Sequence, residues 1–199
     1  LPTATTSYQP VAKACLVERY DRVLRPDGAL ARLWQADFCQ FLGKPSGVKY
    51  EHDGGPTFKD CYDVLLDSVQ PAVDRRTLLR WLFFNLYIGN HDSHAKNLSL
   101  LATSDGLRLA PFYDLMSTRV YSGLGPDFAF SMGGEFEPGK MTARHMLALS
   151  RSLGVAPRYL TRLAGEMADK VDAAFTSTTE EVGFHLDPGQ KVLAERLLQ

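Results

Sequence analysis

The feature that most constrains the fold is a polar stretch, GNHDSHAKN at residues 89–97, which lies between two apolar segments. Upstream, residues 74–88 are apolar on nearly every side, which predicts a helix in the middle of a core. Downstream, NLSLLAT and GLRLAPFYDLMS flank the turn residues SDG, which predicts a β-hairpin. A loop so rich in ionisable groups, held between a buried helix and a hairpin, is typical of a catalytic loop.

The spacing within this loop indicates phosphoryl transfer. Asp92 and Asn97 form the pattern D-x-x-x-x-N. In kinase-type enzymes the aspartate positions the acceptor hydroxyl, and the asparagine binds a magnesium ion that bridges the nucleotide phosphates. Asp114 follows the hairpin and is expected to return a second oxygen ligand to the same ion. The residues therefore predict Asp92 as catalytic, Asn97 and Asp114 as Mg²⁺ ligands, and ATP as the substrate.

Other interpretations of the same loop stay open. Asp92 could instead cap the turn after a helix. His91 and His94 could be hydrogen-bonded structural residues, or with Asp114 could form a zinc or manganese hydrolase site. Lys96 is a candidate phosphate contact or a solvated side chain. The hydrolase lacks a third histidine at a matching spacing, because the remaining histidines are isolated in the sequence: His52, His145 and His185.

Helices predominate in the rest of the chain. The patterns predict a strand at 12–20, a helix at 29–42, a glycine-rich loop at 43–58, a long irregular segment at 121–142, and a helical tail with segments at 143–153, 157–178 and 188–199. A helix at 58–69 is expected to be capped by Thr57, with Asp60 at its third position. In the loop, Gly54 and Gly55 are expected at positive φ.

Composition sets limits on location and partners. A net charge of −1 gives no bulk field for nucleic-acid or membrane binding. The apolar run at 81–88 is far shorter than a bilayer span. Three widely spaced cysteines without a C-x-x-C pair favour a reduced, cytoplasmic setting. No direct nucleic-acid or membrane contact is therefore expected.

Five segments together resemble the HipA family of bacterial serine/threonine kinases, the toxins of toxin–antitoxin modules: GNHDSHAKNLSLL, LAPFYDLMS, VERYDR, QADFCQ and VKYEHDGGP. The resemblance covers about residues 1–117. It implies an α+β, mainly helical fold: a protein-kinase-like C-terminal lobe at 26–199, preceded at 1–25 by a hinge strand and a remnant of the N-lobe. It also implies that His94 and Tyr113 lie against the nucleotide, and that Glu18 and Tyr20 meet the adenine.

The sequence departs from the family pattern in its first part. A glycine-rich phosphate loop and the strand lysine do not precede the hinge, and Lys13 is too close to the hinge to replace that lysine. Ala36 stands where the family usually has an acidic residue. The opening Leu-Pro, without Met, predicts a processed chain or a piece of a longer one. The lobe is therefore expected to be inactive alone.

The resemblance further implies partners. Such kinases arrest growth by phosphorylating a protein, an aminoacyl-tRNA synthetase in known cases, and pair with a DNA-binding antitoxin. The expected function is thus an ATP- and Mg²⁺-dependent protein kinase. Two alternatives remain at this point: a non-catalytic, kinase-like binding or regulatory module, and the histidine–aspartate metallohydrolase.

Overall fold

A computed structural model of the chain describes residues 1–9, 11–182 and 187–197. The predicted mixture of helices and strands is confirmed. The chain divides into two compact units that alternate along the sequence. The first consists of Leu1–Arg75 and His94–Asp114, and the second of Arg76–Ser93 and Leu115–Gln199.

The first unit contains the strands in three small antiparallel sheets. The N-terminal hairpin pairs β1 (Thr6–Gln9) with β2 (Ala14–Val17), and a second hairpin pairs β3 (Arg22–Leu24) with β4 (Leu30–Arg32). The third sheet has the order β5 (Gln35–Asp37), β6 (Ser99–Thr103), β7 (Gly106–Leu109). The hairpin predicted around SDG is therefore confirmed.

The helix predicted at 29–42 is wrong. This segment forms β4, β5 and only a four-residue helix, α1 (Phe38–Phe41). Leu30 and Trp34 are 66% and 53% exposed, so their helical spacing did not mark a buried face. β5 pairs with β6, and Ala36 lies opposite Leu100. This pairing with a distant segment favours a strand, and the local sequence of residues 29–42 carries no sign of it.

The strand predicted at 12–20 is also too long. Residues 14–17 form β2, and the partner strand β1 was not predicted. Glu18 and Tyr20 consequently lie beyond the end of β2. Backbone pairing continues for one step, because the Glu18 N–H donates to the Thr5 carbonyl at 2.9 Å.

The helices of the first unit largely follow prediction. In α2 (Phe58–Val64) the Thr57 side chain accepts from the Asp60 N–H while the Asp60 side chain accepts from the Thr57 N–H, as predicted. The chain then tightens into a 3₁₀ turn (Leu65–Asp67), so the helix ends before the predicted residue 69. The long helix α3 (Pro71–Ile88) confirms the helix predicted at 74–88 and continues into the second unit.

The second unit is helical. Its helices are α4 (Ala143–Leu153), α5 (Pro157–Val182) and α6 (Pro188–Leu197), so the predicted helical tail is confirmed. The last two positions of the predicted tail, Leu198 and Gln199, lie outside the described residues. Among those that are described, no helix combines the length and the apolar character needed to cross a membrane. Large buried side chains fill the core of this unit: Trp81, Leu82, Phe83, Phe128, Phe130 and Leu160.

Candidate active site

The polar loop after α3 is held from within by buried asparagines. The Asn85 side chain donates to the Trp81 carbonyl at 2.8 Å, and the Asn90 side chain donates to Asn85 Oδ1 at 2.7 Å. Ser93 Oγ in turn donates to the Asn90 carbonyl at 3.0 Å. A buried polar group is costly unless it is hydrogen-bonded, so this chain of bonds favours one loop conformation. Half-buried Asp92 lies in the turn between Asn90 and Ser93, within the second unit.

The same loop is bound by the segment that follows Asp114. The Gly89 carbonyl accepts from the N–H groups of Thr118 and Arg119, both at 3.1 Å, and from Thr118 Oγ1 at 3.2 Å. Gly89 has a φ of 66°, and a Cβ there would lie 2.8 Å from the Arg119 Cβ. His91 Nδ1 lies 3.1 Å from the Gly125 carbonyl. That contact favours the structural interpretation of His91.

Asn97 and Asp114 come together in the first unit. Asn97 Nδ2 donates to Asp114 Oδ2 at 3.1 Å, and the His94 N–H donates to Asn97 Oδ1 at 3.0 Å. An amide oxygen offers two lone pairs and a carboxylate about four. Such hard oxygens are the ligands Mg²⁺ prefers, but in this arrangement Asn97 Nδ2 rather than Oδ1 faces the Asp114 carboxylate.

The backbone of Asp114 is unusual. Its φ is 58°, in the left-handed region that side-chain-bearing residues rarely adopt. Asparagine and aspartate tolerate this region better than other residues do. Asp114 is exposed, and with this backbone conformation its carboxylate lies beside the Asn97 amide.

Tyr113 and Tyr20 lie in a polar cluster of the same unit. The Tyr113 hydroxyl donates to the Lys96 carbonyl at 2.8 Å, and Gln35 Nε2 donates to Ser99 Oγ at 3.2 Å. Burial raises the pKa of Tyr20, and the neighbouring Tyr113 phenol raises it further. Burial also raises the pKa of Tyr113, although a hydrogen bond with Ser99 partly offsets the effect. Both phenols therefore stay neutral donors near pH 7.

Sequence reasoning missed Gln35 and Ser99, since neither belongs to a spaced motif. Gln35 Oε1 is buried and accepts no hydrogen bond from the described part of the chain. The signal available in the sequence was Gln35 itself, a polar residue at the start of the segment QADFCQ.

The other predicted residues are placed as follows. His94 is buried and stands at the start of a 3₁₀ turn (Ala95–Asn97). The Lys96 ammonium donates to the Ser46 carbonyl at 3.3 Å, so it is not purely a solvated side chain. Its predicted contact with a phosphate stays a prediction. Glu18 is exposed.

The histidine–aspartate centre finds no support in the geometry. Among residues 1–9, 11–182 and 187–197, no three histidine, cysteine, aspartate or glutamate side chains group as a metal centre requires. His145 instead accepts from the Thr142 N–H at 3.2 Å, at the start of α4. His185 lies outside the described residues.

Comparison with known proteins places the chain in a family. A family model described as the HipA-like C-terminal domain matches residues 1–175. The chain belongs to this family. A curated relative, the serine/threonine-protein kinase toxin HipA of Shewanella oneidensis, is 32% identical over 160 residues, covering 74% of this chain and 37% of its own length. The HipA resemblance read from the sequence is thereby confirmed.

Two further relatives agree. The Sinorhizobium fredii protein Y4mE, described as a candidate kinase, is 40% identical over 170 residues, covering 83% of this chain and 40% of Y4mE. A chain of the Shewanella oneidensis complex of HipA, HipB and operator DNA matches all of this chain with 50% of its own length, at 26% identity and a TM-score of 0.86. This HipA-like chain thus spans half or less of the length of the relatives it matches.

Proposed function

We propose that this HipA-like chain supplies the phosphoryl-transfer site of an ATP- and Mg²⁺-dependent serine/threonine protein kinase in a toxin–antitoxin module. The observation that carries the proposal is the 3.1 Å contact between Asn97 Nδ2 and Asp114 Oδ2. It joins two residues 17 positions apart and brings the Asn97 amide, through its nitrogen, against the Asp114 carboxylate. The names of the relatives, a HipA kinase toxin and a candidate kinase, support the same reaction class.

In this proposal each residue of the loop has a separate role. Asp92 accepts the proton of the acceptor hydroxyl, or orients that hydroxyl for attack. Asn97 and Asp114 hold Mg²⁺ through their side-chain oxygens. The bound ion neutralises charge on the nucleotide phosphates. The hydrogen bonds around Asn90 restrict the conformation of the loop that carries Asp92, which favours a fixed orientation of the acceptor hydroxyl.

The nucleotide is assigned to the first unit. Tyr20 and Tyr113 supply neutral phenols beside Gln35, and His94 lies next to the Asn97 turn. Glu18, just beyond the end of β2, contributes its backbone carbonyl, since its N–H already donates to Thr5. Lys96 is a candidate phosphate contact once its bond to Ser46 is exchanged. Residues 1–25 then serve as hinge strand and N-lobe remnant, and 26–199 as a kinase-like C-terminal lobe.

Partners are proposed from the relatives and from chemistry. The Shewanella structure contains HipA with HipB and operator DNA, which supports a DNA-binding antitoxin as partner of this chain. The acceptor is a protein hydroxyl, and by family resemblance an aminoacyl-tRNA synthetase is the candidate. The setting is the cytoplasm. Direct nucleic-acid contact by this chain is not part of the proposal, because its net charge is −1.

The test combines binding and transfer in the full-length protein that carries this chain. Calorimetry with Mg·ATP should show binding in the wild type that Asp114→Asn weakens at least about tenfold, as expected for loss of a charged metal ligand. Radiolabelled ATP should transfer label to a protein acceptor. A folded protein that does not bind Mg·ATP would overturn the proposal and favour the non-catalytic module. Zinc that survives dialysis would favour the hydrolase.

A further inference from the structure

The motif VKYEHDGGP forms a closed loop whose role is not explained by the kinase assignment. We define the Tyr50 loop as residues 44–55. Lys44 Nζ donates to the Gly54 carbonyl at 3.1 Å and ties the two ends of the loop together. Inside it, the Gly55 N–H donates to the Tyr50 carbonyl at 2.8 Å.

The two glycines have different reasons to be there. Gly54 has a φ of 84°, as predicted, and ends a 3₁₀ turn (Glu51–Asp53). Gly55 is not at positive φ, contrary to prediction. A Cβ on Gly55 would lie 2.6 Å from the Tyr50 carbonyl oxygen, so glycine is required by close approach. The loop is therefore built to hold the Tyr50 backbone in one place.

The held side chain packs against the candidate site. The Tyr50 ring meets the His94 ring edge-on, with centroids 5.3 Å apart and planes at 78°. This is a favoured arrangement for aromatic pairs. The exposed His52 ring also stacks on the Tyr50 ring at 5.4 Å, and the half-buried Lys49 places Nζ 4.8 Å from its centroid.

His94 passes this constraint to the proposed metal ligands. Its N–H donates to Asn97 Oδ1, and Asn97 Nδ2 donates to Asp114, so the His94 backbone fixes which way the amide faces. The loop reaches the same turn a second time, because the Ser46 carbonyl accepts from Lys96. The Tyr50 loop therefore makes two contacts here: the Tyr50 ring meets His94, just before the 3₁₀ turn, and the Ser46 carbonyl binds Lys96 within it.

We propose that Tyr50 is a positioning residue for the Asn97–Asp114 pair, acting through His94. This inference rests on the proposed function, since it concerns the orientation of the proposed Mg²⁺ ligands. The aromatic edge of Tyr50 is the group that contacts the His94 ring. Removal of the ring frees His94 to shift, and the Asn97 amide then loses its fixed orientation.

Direct metal binding tests the proposal without relying on catalysis. In the full-length protein with saturating ATP, Mn²⁺ is titrated and the free ion is followed by its electron paramagnetic resonance signal. Tyr50→Leu should weaken Mn²⁺ binding by about three- to tenfold, the range expected from loss of one aromatic pair. Tyr50→Phe should bind within about twofold of wild type, because it keeps the ring. His52→Ala is the matched control, because it removes the stacked ring but leaves the Tyr50–His94 contact.

A second measurement reads the positioning without any metal. Hydrogen exchange of the segment 91–98 should accelerate in Tyr50→Leu and stay at the wild-type rate in His52→Ala, with unchanged thermal unfolding midpoints in both. Unchanged exchange in Tyr50→Leu would overturn the inference, as would equal Mn²⁺ binding by Tyr50→Leu and wild type. Asp114→Asn separates the two proposals: if it leaves Mn²⁺ binding intact, the proposed metal site is wrong; if it weakens binding while Tyr50→Leu does not, only the role of Tyr50 is wrong.

Discussion

Asn97 makes two hydrogen bonds of opposite sense, and these fix its amide. Its oxygen accepts from the His94 N–H and its nitrogen donates to the Asp114 carboxylate. A flipped amide would put oxygen against carboxylate and N–H against N–H, so the neutral asparagine cannot be replaced by its charged isostere without cost.

The substitution Asn97→Asp should therefore destabilise the metal-free protein at neutral pH. Two carboxylates about 3 Å apart repel, and the pKa of one is raised by the charge of the other. We expect a loss of roughly 1–2 kcal/mol in unfolding free energy at pH 7, a difference that narrows towards pH 4 and on addition of Mg²⁺. Thermal unfolding with and without Mg²⁺ measures this, and Asn97→Ala, which adds no charge, is the control. A loss of unfolding free energy in Asn97→Asp that changes with neither pH nor Mg²⁺ would contradict the expectation.

The substitution Asp92→Asn should separate binding from transfer. The amide keeps the shape of the side chain but does not accept a proton, so label transfer from ATP should fall by about 10²- to 10⁴-fold. Mg·ATP affinity measured by calorimetry should stay within about twofold of wild type, because Asp92 is not assigned to the metal. If affinity and transfer fell together, Asp92 would belong with the ligands instead.

At the scale of elements, sequence reasoning predicted the long helix α3 correctly but failed for the segment at 29–42. The helix α3 was predicted because residues 74–88 are apolar on nearly every side. The segment 29–42 has equally helical spacing, yet it forms strands because β5 completes a sheet with β6, which lies 64 residues further along. The proximity of Asn97 and Asp114 was predicted from spacing, and their role as metal ligands stays a prediction. The hydrogen bonds of Asn85, Asn90 and Gln35 were not predicted, since buried polar residues carry no sequence period.

The turn after α3 can be tested at Gly89. Alanine there meets both a φ of 66° and the Arg119 Cβ at 2.8 Å. Gly154, at the end of α4, has the same φ of 66° but open space around it. We expect Gly154→Ala to cost about 1 kcal/mol and Gly89→Ala about 2–4 kcal/mol in urea unfolding, because only the second adds a clash to the backbone strain. Equal losses of unfolding free energy in the two variants would show that the contact with Arg119 adds no destabilisation at residue 89.

At the scale of the whole molecule, buried carboxylates link stability to pH. Asp74, in the first turn of α3, accepts from Arg108, Ser68 and the Leu109 N–H. Burial alone would raise its pKa, but these bonds outweigh burial and lower it. Hydrogen bonds from Arg19 are the largest cause of the lowered pKa of Asp21. A lowered folded-state pKa gives stability that is present above the unfolded value, near 4, and is lost as pH falls through the folded value.

The substitution Asp74→Asn should expose this linkage. It leaves Arg108 beside a neutral partner, and we expect a loss of about 2–4 kcal/mol at pH 7 that shrinks below about pH 4, where wild type loses the same interaction. Urea unfolding between pH 3 and pH 7 measures the difference. Asp105→Asn is the control, because Asp105 is exposed on the neighbouring hairpin and should change stability by less than about 0.5 kcal/mol. A pH-independent deficit for Asp74→Asn would refute the linkage.

The division of the molecule could not be predicted from order along the chain. Its two compact units alternate in sequence, because the chain leaves the first after Arg75 and returns with His94–Asp114. Hydrophobic periodicity reports the face that each segment buries but not the segment that covers it. The boundary expected at residue 25 stays a prediction.

At Asp114, backbone stability and the proposed metal-binding role favour different residues. Glycine would adopt a φ of 58° without strain, and asparagine would adopt it about as well as aspartate does. Glycine at residue 114 would therefore relieve the backbone strain and asparagine would leave it about unchanged, and either substitution would remove the carboxylate from the proposed site. A stabilised variant of this chain that keeps its acid at residue 114 would thus bear the mark of selection for function.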